Sequence, residues 1–212
     1  MIYPKNNRII FWFLKKHIQW LVGRQFNELI FNNIEVDKNR SILLIANHYS
    51  FWDGLILFCI NQRLFKKKTH VMILEETIKK EPFLKYAGAF SVSKNSRDIL
   101  ESVNYASALL DDPANLVLIF PQGKLYSNFV EHVNFQKGIS KIIKHAKGNF
   151  QLIFAAAFIQ YFKNPKPTVT VYLKNEFVDY AAKSTSDLQK AYQQFYQESK
   201  MLETEIDVEA KF

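Results

Sequence analysis

Short apolar runs recur along the chain and are separated by polar, helix-forming segments. The runs 41–46, 70–74, 116–119 and 153–157 are mostly apolar, and their lengths suit strands, the first of them covered on both faces. Residues 168–173 alternate between polar and apolar positions, which predicts a half-buried strand near one edge of the sheet.

Apolar residues recur at helical spacing in the segments between and after these strands. A helix is expected to begin just after Ser50, whose hydroxyl can cap it, and further helices are predicted at 98–110, 137–147 and 185–205. The last helix is expected to pack through Leu188, Tyr192, Phe195, Tyr196 and Leu202. Alternating strands and helices predict an α/β fold, a layered and mostly parallel or mixed sheet with helices on both faces.

Residues 8–22 form a basic, aromatic segment that precedes the first predicted strand. No apolar run in it reaches the roughly 20 residues that span a bilayer, so we expect an amphipathic helix at a membrane surface. The alternative is a helix whose apolar stripe packs on the domain. We assign residues 1–33 to this membrane-interacting element and 34–212 to the α/β domain. A secretory signal peptide is not expected, because basic residues follow the brief apolar run at once.

His48 and Asp53 lie where the strand at 41–46 gives way to a helix. Open α/β sheets place their chemistry at the carboxyl ends of strands. A histidine that binds a carboxylate through one ring nitrogen keeps the other nitrogen free to take a proton, so the pair is a candidate general base with its orienting acid. The alternative is that Asp53 only completes a capping box with Ser50.

A second candidate loop follows the strand at 116–119 and contains Pro121, Gln122, Gly123 and Lys124. A Pro-x-Gly sequence after a strand is also ordinary turn chemistry, in which Gly123 supplies a positive φ. This loop again occupies the exit of a predicted strand, where open α/β sheets place their chemistry.

The two blocks resemble those of the glycerolipid acyltransferase superfamily, which includes glycerol-3-phosphate and lysophosphatidic acid acyltransferases. His48 to Asp53 is similar to the family's His-x4-Asp block, and Phe120 to Gly123 to its Phe-Pro-Glu-Gly block. Three further segments, 88–94, 135–138 and 153–157, resemble other family blocks in the same order. The resemblance implies that these residues bind the substrate: Lys94, Pro121, Gln122, Gly123 and Lys124.

The resemblance also implies a reaction. A fatty acyl group would pass directly from acyl-CoA or acyl-carrier protein to a lipid or glycerol-type hydroxyl, first of all that of 1-acylglycerol-3-phosphate. His48 would take the hydroxyl proton while Asp53 orients the ring, and a backbone N–H near Gly123 would bind the oxyanion. No cofactor is expected beyond the thioester donor. The family likeness places the protein at the cytoplasmic face of the membrane, as a peripheral or monotopic protein.

Three departures from the family pattern bear on the acceptor. The chain has Gln122 where the family usually has glutamate, Lys94 where it has arginine, and Lys124-Leu125 where it has threonine and arginine. Lysine lacks the bidentate fork that suits phosphate. A non-phosphorylated acceptor, such as a glycolipid, an amino-acid lipid or a carotenoid derivative, is therefore an alternative. A non-catalytic, membrane-bound lipid-binding relative is a second one.

Composition and charge limit the kinds of partner that the chain is expected to bind. The net charge of +8 and the sequence pI of about 9.4 indicate an anionic partner. A lipid surface and an anionic acyl donor fit this charge, whereas nucleic acid is not expected because the chain has no recognisable nucleic-acid-binding motif. Cys59 is the single cysteine, so no disulfide is possible within the chain, and the histidines lack zinc-ligand spacing. Phe51, Trp52 and Phe58 are candidates to line an acyl-chain groove.

Overall fold

The structure is a computed structural model that describes residues 1–92, 96–136 and 138–207. Its strands are β1 (Glu28–Phe31), β2 (Ser41–Ala46), β3 (Lys68–Leu74), β4 (Ala89–Val92), β5 (Asn115–Ile119), β6 (Phe150–Gln160) and β7 (Thr168–Glu176). Its helices are α1 (Arg8–Gln25), α2 (Trp52–Ile60), α3 (Glu75–Lys80), α4 (Ser96–Leu109), α5 (Gly138–His145) and α6 (Thr185–Thr204). A π-helical turn (Asn61–Phe65) continues α2, and a 3-10 helix (Pro82–Ala87) precedes β4.

The strands form one mixed sheet in the order β1-β7-β6-β2-β5-β3-β4. Neighbouring strands are parallel except for β6 and β7, which are antiparallel. The carboxyl ends of β2, β3, β5 and β6 therefore meet at one side of the sheet, which we call the carboxyl edge. Ala46, the last residue of β2, pairs with Ala155, while β6 continues to Gln160. At the usual rise per residue the hairpin of β6 and β7 projects about 16 Å beyond that pair.

Two apolar layers cover the sheet, as the fully buried central strand requires. Leu43 and Ile45 face the layer formed with α4, α5 and α6, whereas Ile42 and Leu44 face the layer formed with α1 and α2. All six residues of β2 are buried, which matches a strand covered on both faces. The predicted α/β fold with helices on both faces is confirmed.

The strand predicted at 168–173 is present as β7 and lies near one edge of the sheet, as expected, but its burial is greater than predicted. Strand β7 lies between β1 and β6, and its first four residues are buried. The outermost strand on this side is β1, which the sequence pattern did not predict. It comprises residues 28–31 and so falls within the first 33 residues that we assigned to the amino-terminal element.

Helix α6 packs on the sheet through the predicted stripe, with one exception. Leu188, Tyr192, Phe195 and Tyr196 are buried, but Leu202 is 54% exposed. The inward position at this end of the helix belongs to Glu203, whose carboxylate accepts hydrogen bonds from Gln160 Nε2 (2.8 Å) and the Tyr172 hydroxyl (3.0 Å). The helical stripe therefore continues through a polar residue, which an apolar pattern does not reveal.

Helix α1 has two different faces. Ile18 and Val22 are buried against the α2 layer, whereas Ile9, Trp12, Phe13 and Trp20 are exposed. Packing on the domain thus uses one side of the helix and leaves an aromatic stripe on the other. None of the helices within the described residues has the length and hydropathy that crossing a bilayer requires.

The tight turn before β4 depends on a glycine. Gly88 has a φ of +93°, and a Cβ there would lie 1.9 Å from the Thr69 carbonyl oxygen. We expect Gly88→Ala to lower the free energy of unfolding by at least about 2 kcal/mol, because the backbone must move to relieve both strain and clash. Gly23→Ala in α1 is the control, since a Cβ there meets nothing within 4 Å and should be neutral or stabilising. Denaturant titration measures both, and equal destabilisation would contradict the prediction.

His70 makes the stability of the fold depend on pH. Its Nε2 lies 3.2 Å from Asn115 Oδ1, and burial lowers its pKa from 6.5 to about 4. Because the unfolded chain binds this proton more tightly, stability falls as the pH drops from 6.5 to 4, by up to about 3 kcal/mol, and this group adds no further loss below pH 4. We expect His70→Leu to flatten the profile of unfolding free energy in that window. An unchanged slope in urea titrations across pH would reject this role.

Candidate active site

The loop that carries His48 is fixed by the residue before it. The Asn47 side chain donates to the Ala157 carbonyl (3.0 Å) and accepts from the Ala157 N–H (2.9 Å). This buried amide thus continues the ladder between β2 and β6 for one more step after β2 has ended. His48 therefore leaves the sheet at a defined position on the carboxyl edge.

The Asp53 carboxylate is the centre of this loop. It is fully buried, and its Oδ2 accepts hydrogen bonds from His48 Nδ1 (2.8 Å), the Tyr49 N–H (2.7 Å) and the Ser50 N–H (2.9 Å). Its Oδ1 accepts from the Ser50 hydroxyl (3.0 Å), whose oxygen in turn accepts from the Trp52 N–H (3.0 Å). Asp53 therefore makes both the hydrogen bond to the Ser50 backbone that a capping box requires and the hydrogen bond to the His48 ring.

The His48 ring is held in place from a second direction. It stacks on Phe120 with ring centroids 4.2 Å apart and planes inclined by 19°. The imidazole is 24% exposed, and Nδ1 is occupied by Asp53. The carboxylate therefore fixes Nδ1, and Nε2 remains able to accept a proton. This is the arrangement of a general base.

Gln122 connects the second candidate loop to the first. This side chain is buried, and its Oε1 accepts a hydrogen bond from the His48 N–H (2.7 Å). The Tyr126 N–H donates to the His48 carbonyl (3.0 Å), so both backbone groups of His48 are bound by the loop after β5. The two sequence blocks are thus brought together, and the Gln122 Oε1 faces the backbone of His48.

The turn at Gly123 has the positive φ that its sequence predicts, +69°. Its N–H donates to the Phe120 carbonyl (3.1 Å), and the Pro121 carbonyl accepts from the Gln136 N–H (2.8 Å). The Gly123 N–H is therefore already engaged and is not a spare donor for an oxyanion. Lys124 is exposed, with its Nζ 5.0 Å from the centre of the Tyr126 ring.

The remaining predicted site residues have different surroundings. Lys94 lies outside the residues that the structure describes. Phe51 is exposed beside the loop, and Trp52 is half-buried with its ring 5.3 Å from that of Phe26. Phe58 is buried in the core, where it contacts Phe11, so a groove-lining role for Phe58 finds no support in its position.

Sequence patterns did not identify three of the residues that shape the site. Asn47 follows the strand directly, and Phe120 is the first residue of the second block. The position of each in the sequence could therefore have identified it. Tyr49 gave no signal, yet its hydroxyl is enclosed without a hydrogen-bond partner among the described residues. Burial, and secondly the charge of Asp53, raise the pKa of this hydroxyl well above its usual value, so it stays protonated.

Other parts of the surface offer less chemistry. A cleft of about 500 Å³ lies at the opposite edge of the sheet, between the start of β6 and the end of β7, where Arg40, Phe150, Glu176 and Tyr180 are among its walls. It contains neither His48 nor Asp53. Within the described residues, no three His, Cys, Asp or Glu side chains are grouped as metal ligands.

Comparison with known proteins agrees with this geometry. No curated protein sequence matches the chain significantly. Among solved structures, the chain is similar to the 1-acyl-sn-glycerophosphate (LPA) acyltransferase PlsC from Thermotoga maritima. The TM-score is 0.64 at 17% identity, and the match covers 93% of this chain and 81% of that chain. At this identity the likeness shows a shared fold.

The family itself is shown by sequence. The model of the Acyltransferase family matches residues 28–173, which is more than half of the chain. The matched region begins with β1 and contains both candidate blocks. The resemblance seen in the sequence is thereby confirmed, and the chain belongs to the Acyltransferase family.

Proposed function

We propose that this protein transfers a fatty acyl group from acyl-CoA or acyl-carrier protein to the hydroxyl of a lipid or glycerol-type acceptor, with 1-acylglycerol-3-phosphate as the first candidate. The observation that carries the proposal is the 2.8 Å hydrogen bond between His48 Nδ1 and the buried Asp53 carboxylate at the carboxyl edge. Family membership supports acyl transfer. The similar solved structure is that of an LPA acyltransferase, which suggests the acceptor.

His48 is the general base in this mechanism. Its Nε2 takes the proton of the acceptor hydroxyl as the oxygen attacks the thioester carbonyl carbon, and the carbon–sulfur bond then breaks. The proton passes from the imidazolium to the departing thiolate, so the ring returns to its neutral form. Asp53 stabilises the imidazolium while its bonds to Tyr49 and Ser50 keep the carboxylate in place. No acyl-enzyme and no further cofactor are required.

The tetrahedral intermediate needs a donor for its oxyanion. The Gly123 N–H is engaged by Phe120, so the next amide in the turn, that of Lys124, becomes the candidate. Removing one such donor typically costs about 2.7–4 kcal/mol of transition-state stabilisation. The exposed Lys124 ammonium lies on the same turn and could contact an anionic donor or acceptor.

A second candidate function is transfer to a non-phosphorylated hydroxyl, such as that of a glycolipid, an amino-acid lipid or a carotenoid derivative. Gln122 favours it, because this side chain is neutral and its Oε1 is bound to the His48 backbone. Lys124 and Leu125 also stand where phosphate-using relatives usually carry a threonine and an arginine. Lys94 would add a point charge whose role in acceptor binding stays a prediction.

The exposed stripe of α1 supports a place at the membrane surface. Trp12, Phe13 and Trp20 can lodge at the headgroup boundary, while Arg8 and Lys16 can meet anionic lipid. We propose that the protein is peripheral or monotopic at the cytoplasmic face, where lipid acceptors are reached from the bilayer. This role fits a basic chain without invoking nucleic acid as a partner.

Substitution of the dyad tests the reaction. We expect His48→Ala to reduce kcat by at least a factor of about 100 and Asp53→Asn to reduce it severely, because each removes part of the general base. Purified variants are assayed with acyl-CoA and acyl-carrier protein as donors, and His145→Ala, an exposed histidine on α5, is the control. Circular dichroism separates lost chemistry from lost folding. Full turnover by folded His48→Ala would remove this residue from the mechanism.

Lys124 distinguishes the two acceptor classes. If the acceptor is phosphorylated, we expect Lys124→Ala to lower kcat/KM for 1-acylglycerol-3-phosphate about tenfold, because a charge-assisted contact is lost. Turnover of a neutral monoacylglycerol should change little. Lys144→Ala on α5 controls for the loss of one exposed positive charge. Higher wild-type activity on the neutral lipid, with no effect of Lys124→Ala on either acceptor, would favour the second candidate function.

A further inference from the structure

Several exposed apolar side chains lie on the segments at the carboxyl edge, the edge that contains His48. They are Phe51, Leu125, Phe129, Tyr161, Met201 and Leu202, each more than half exposed. We call this set the rim. Scattered exposed apolar residues are normal, but a group that surrounds one site indicates a surface that another apolar body covers.

Two rim residues are fixed directly to the candidate active site. Phe51 lies within the loop organised by Asp53, and its ring is 5.6 Å from that of Trp52. Leu125 precedes Tyr126, whose N–H binds the His48 carbonyl (3.0 Å). These side chains therefore cannot leave the vicinity of His48 without breaking the site's own contacts.

The opposite part of the rim is held by Glu203. Tyr161 follows Gln160, and the Gln160 amide donates to the Glu203 carboxylate (2.8 Å). Glu203 comes directly after Met201 and Leu202, so this bond fixes the exposed end of α6 beside the tip of the β6–β7 hairpin. This bond therefore places the last turn of α6, which contains Met201 and Leu202, beside the residue that precedes Tyr161.

Phe129, the most exposed member of the rim, is positioned by its neighbours in the chain. The Val130 carbonyl accepts from the Tyr196 hydroxyl (3.1 Å), and the Glu131 carbonyl accepts from Gln197 Nε2 (2.7 Å). Gln197 is one helical turn before Met201 on the same face of α6. The loop after β5 and the end of α6 therefore contribute to one surface.

The rim is continuous with helix α1. Helix α1 ends at Gln25, and the ring of the next residue, Phe26, lies 5.3 Å from that of Trp52, next to Phe51. The following residue, Asn27, donates through its N–H to the Pro167 carbonyl (2.9 Å) at the tip of the β6–β7 hairpin. The carboxyl-terminal end of α1 therefore lies at the carboxyl edge, near Phe51 of the rim.

We infer that the rim is a second bilayer-contact surface, which acts with α1 to hold the His48 site against a lipid membrane. The aromatic and aliphatic side chains suit insertion below the headgroups, and Lys124 and Lys166 suit anionic lipid at the level of the headgroups. The inference deepens the proposed function, since an acceptor lipid held by the bilayer would reach His48 without crossing water. It assigns contact with the membrane to the edge that contains the chemistry.

Vesicle binding by the full chain tests this surface. Phe129→Ser and Met201→Ser are compared with Phe177→Ser, a position whose wild-type side chain is 89% exposed at the opposite edge of the sheet. The probe is sedimentation with vesicles of phosphatidylcholine, with and without phosphatidylglycerol, at low and high salt. We expect each rim variant to bind about tenfold more weakly than wild type at both salt concentrations, because the lost contact is apolar. The Phe177 variant should bind like wild type.

Helix α1 provides a contrasting arm of the same experiment. Lys16→Glu should weaken binding at low salt and only slightly at high salt, because screening removes its contribution. Rim variants that bind like wild type would overturn the inference. So would a rim substitution that dissociates a dimer in sedimentation velocity while leaving vesicle binding unchanged, since a second copy would then cover the rim.

Vesicle binding is measured without turnover, so the inference and the proposed reaction fail separately. Wild type that binds vesicles through the rim but transfers no acyl group would overturn the reaction alone. Wild type that transfers acyl groups to a short-chain, water-soluble acceptor, with rim variants equally active and equally bound to vesicles, would overturn the inference alone. Thermal unfolding of each variant identifies any loss caused by misfolding.

Discussion

The buried carboxylate of Asp53 is the constraint on which the candidate site depends. An isolated charge in a dry environment is costly, and Asp53 is tolerated because it accepts four hydrogen bonds from three consecutive residues. Those bonds define the path of the chain from His48 to Ser50 and the start of α2. The groups that satisfy the charge are therefore also the groups that position the histidine, so stability and chemistry have the same physical origin here.

The rest of the fold supports this loop from two neighbouring strands. Asn47 extends the pairing with β6, and Gln122, after β5, binds the His48 N–H. The parallel arrangement of β2, β5 and β6 brings these residues to one edge although they are far apart in sequence. Because Gln122 is neutral, it makes this contact without adding a second negative charge near Asp53. Where the family usually has a glutamate, this chain thus has a neutral side chain that binds the backbone of His48.

Much of this arrangement follows from the sequence, because buried parallel strands and the residues at their ends have strong local patterns. The fold class, the strand before His48 and the glycine turn at Gly123 are of this kind. Other features depend on tertiary contacts that no local pattern carries. The four-residue β1 is too short to show periodicity, Glu203 interrupts an apolar stripe with a charge, and the stacking of Phe120 on His48 joins residues from different loops.

The stacking of His48 on Phe120 also has a stereochemical consequence. With one face covered and Nδ1 bound to a fixed carboxylate, the imidazole has a defined plane, and its Nε2 lone pair points in one direction within that plane. In the proposed reaction, the acceptor hydroxyl would approach along that direction to give up its proton. Since the covering ring is itself anchored at the end of β5, the direction is set by the sheet. In the proposed reaction, an acceptor alcohol would therefore meet a base whose orientation is set by the core of the fold, although the histidine itself lies on a loop.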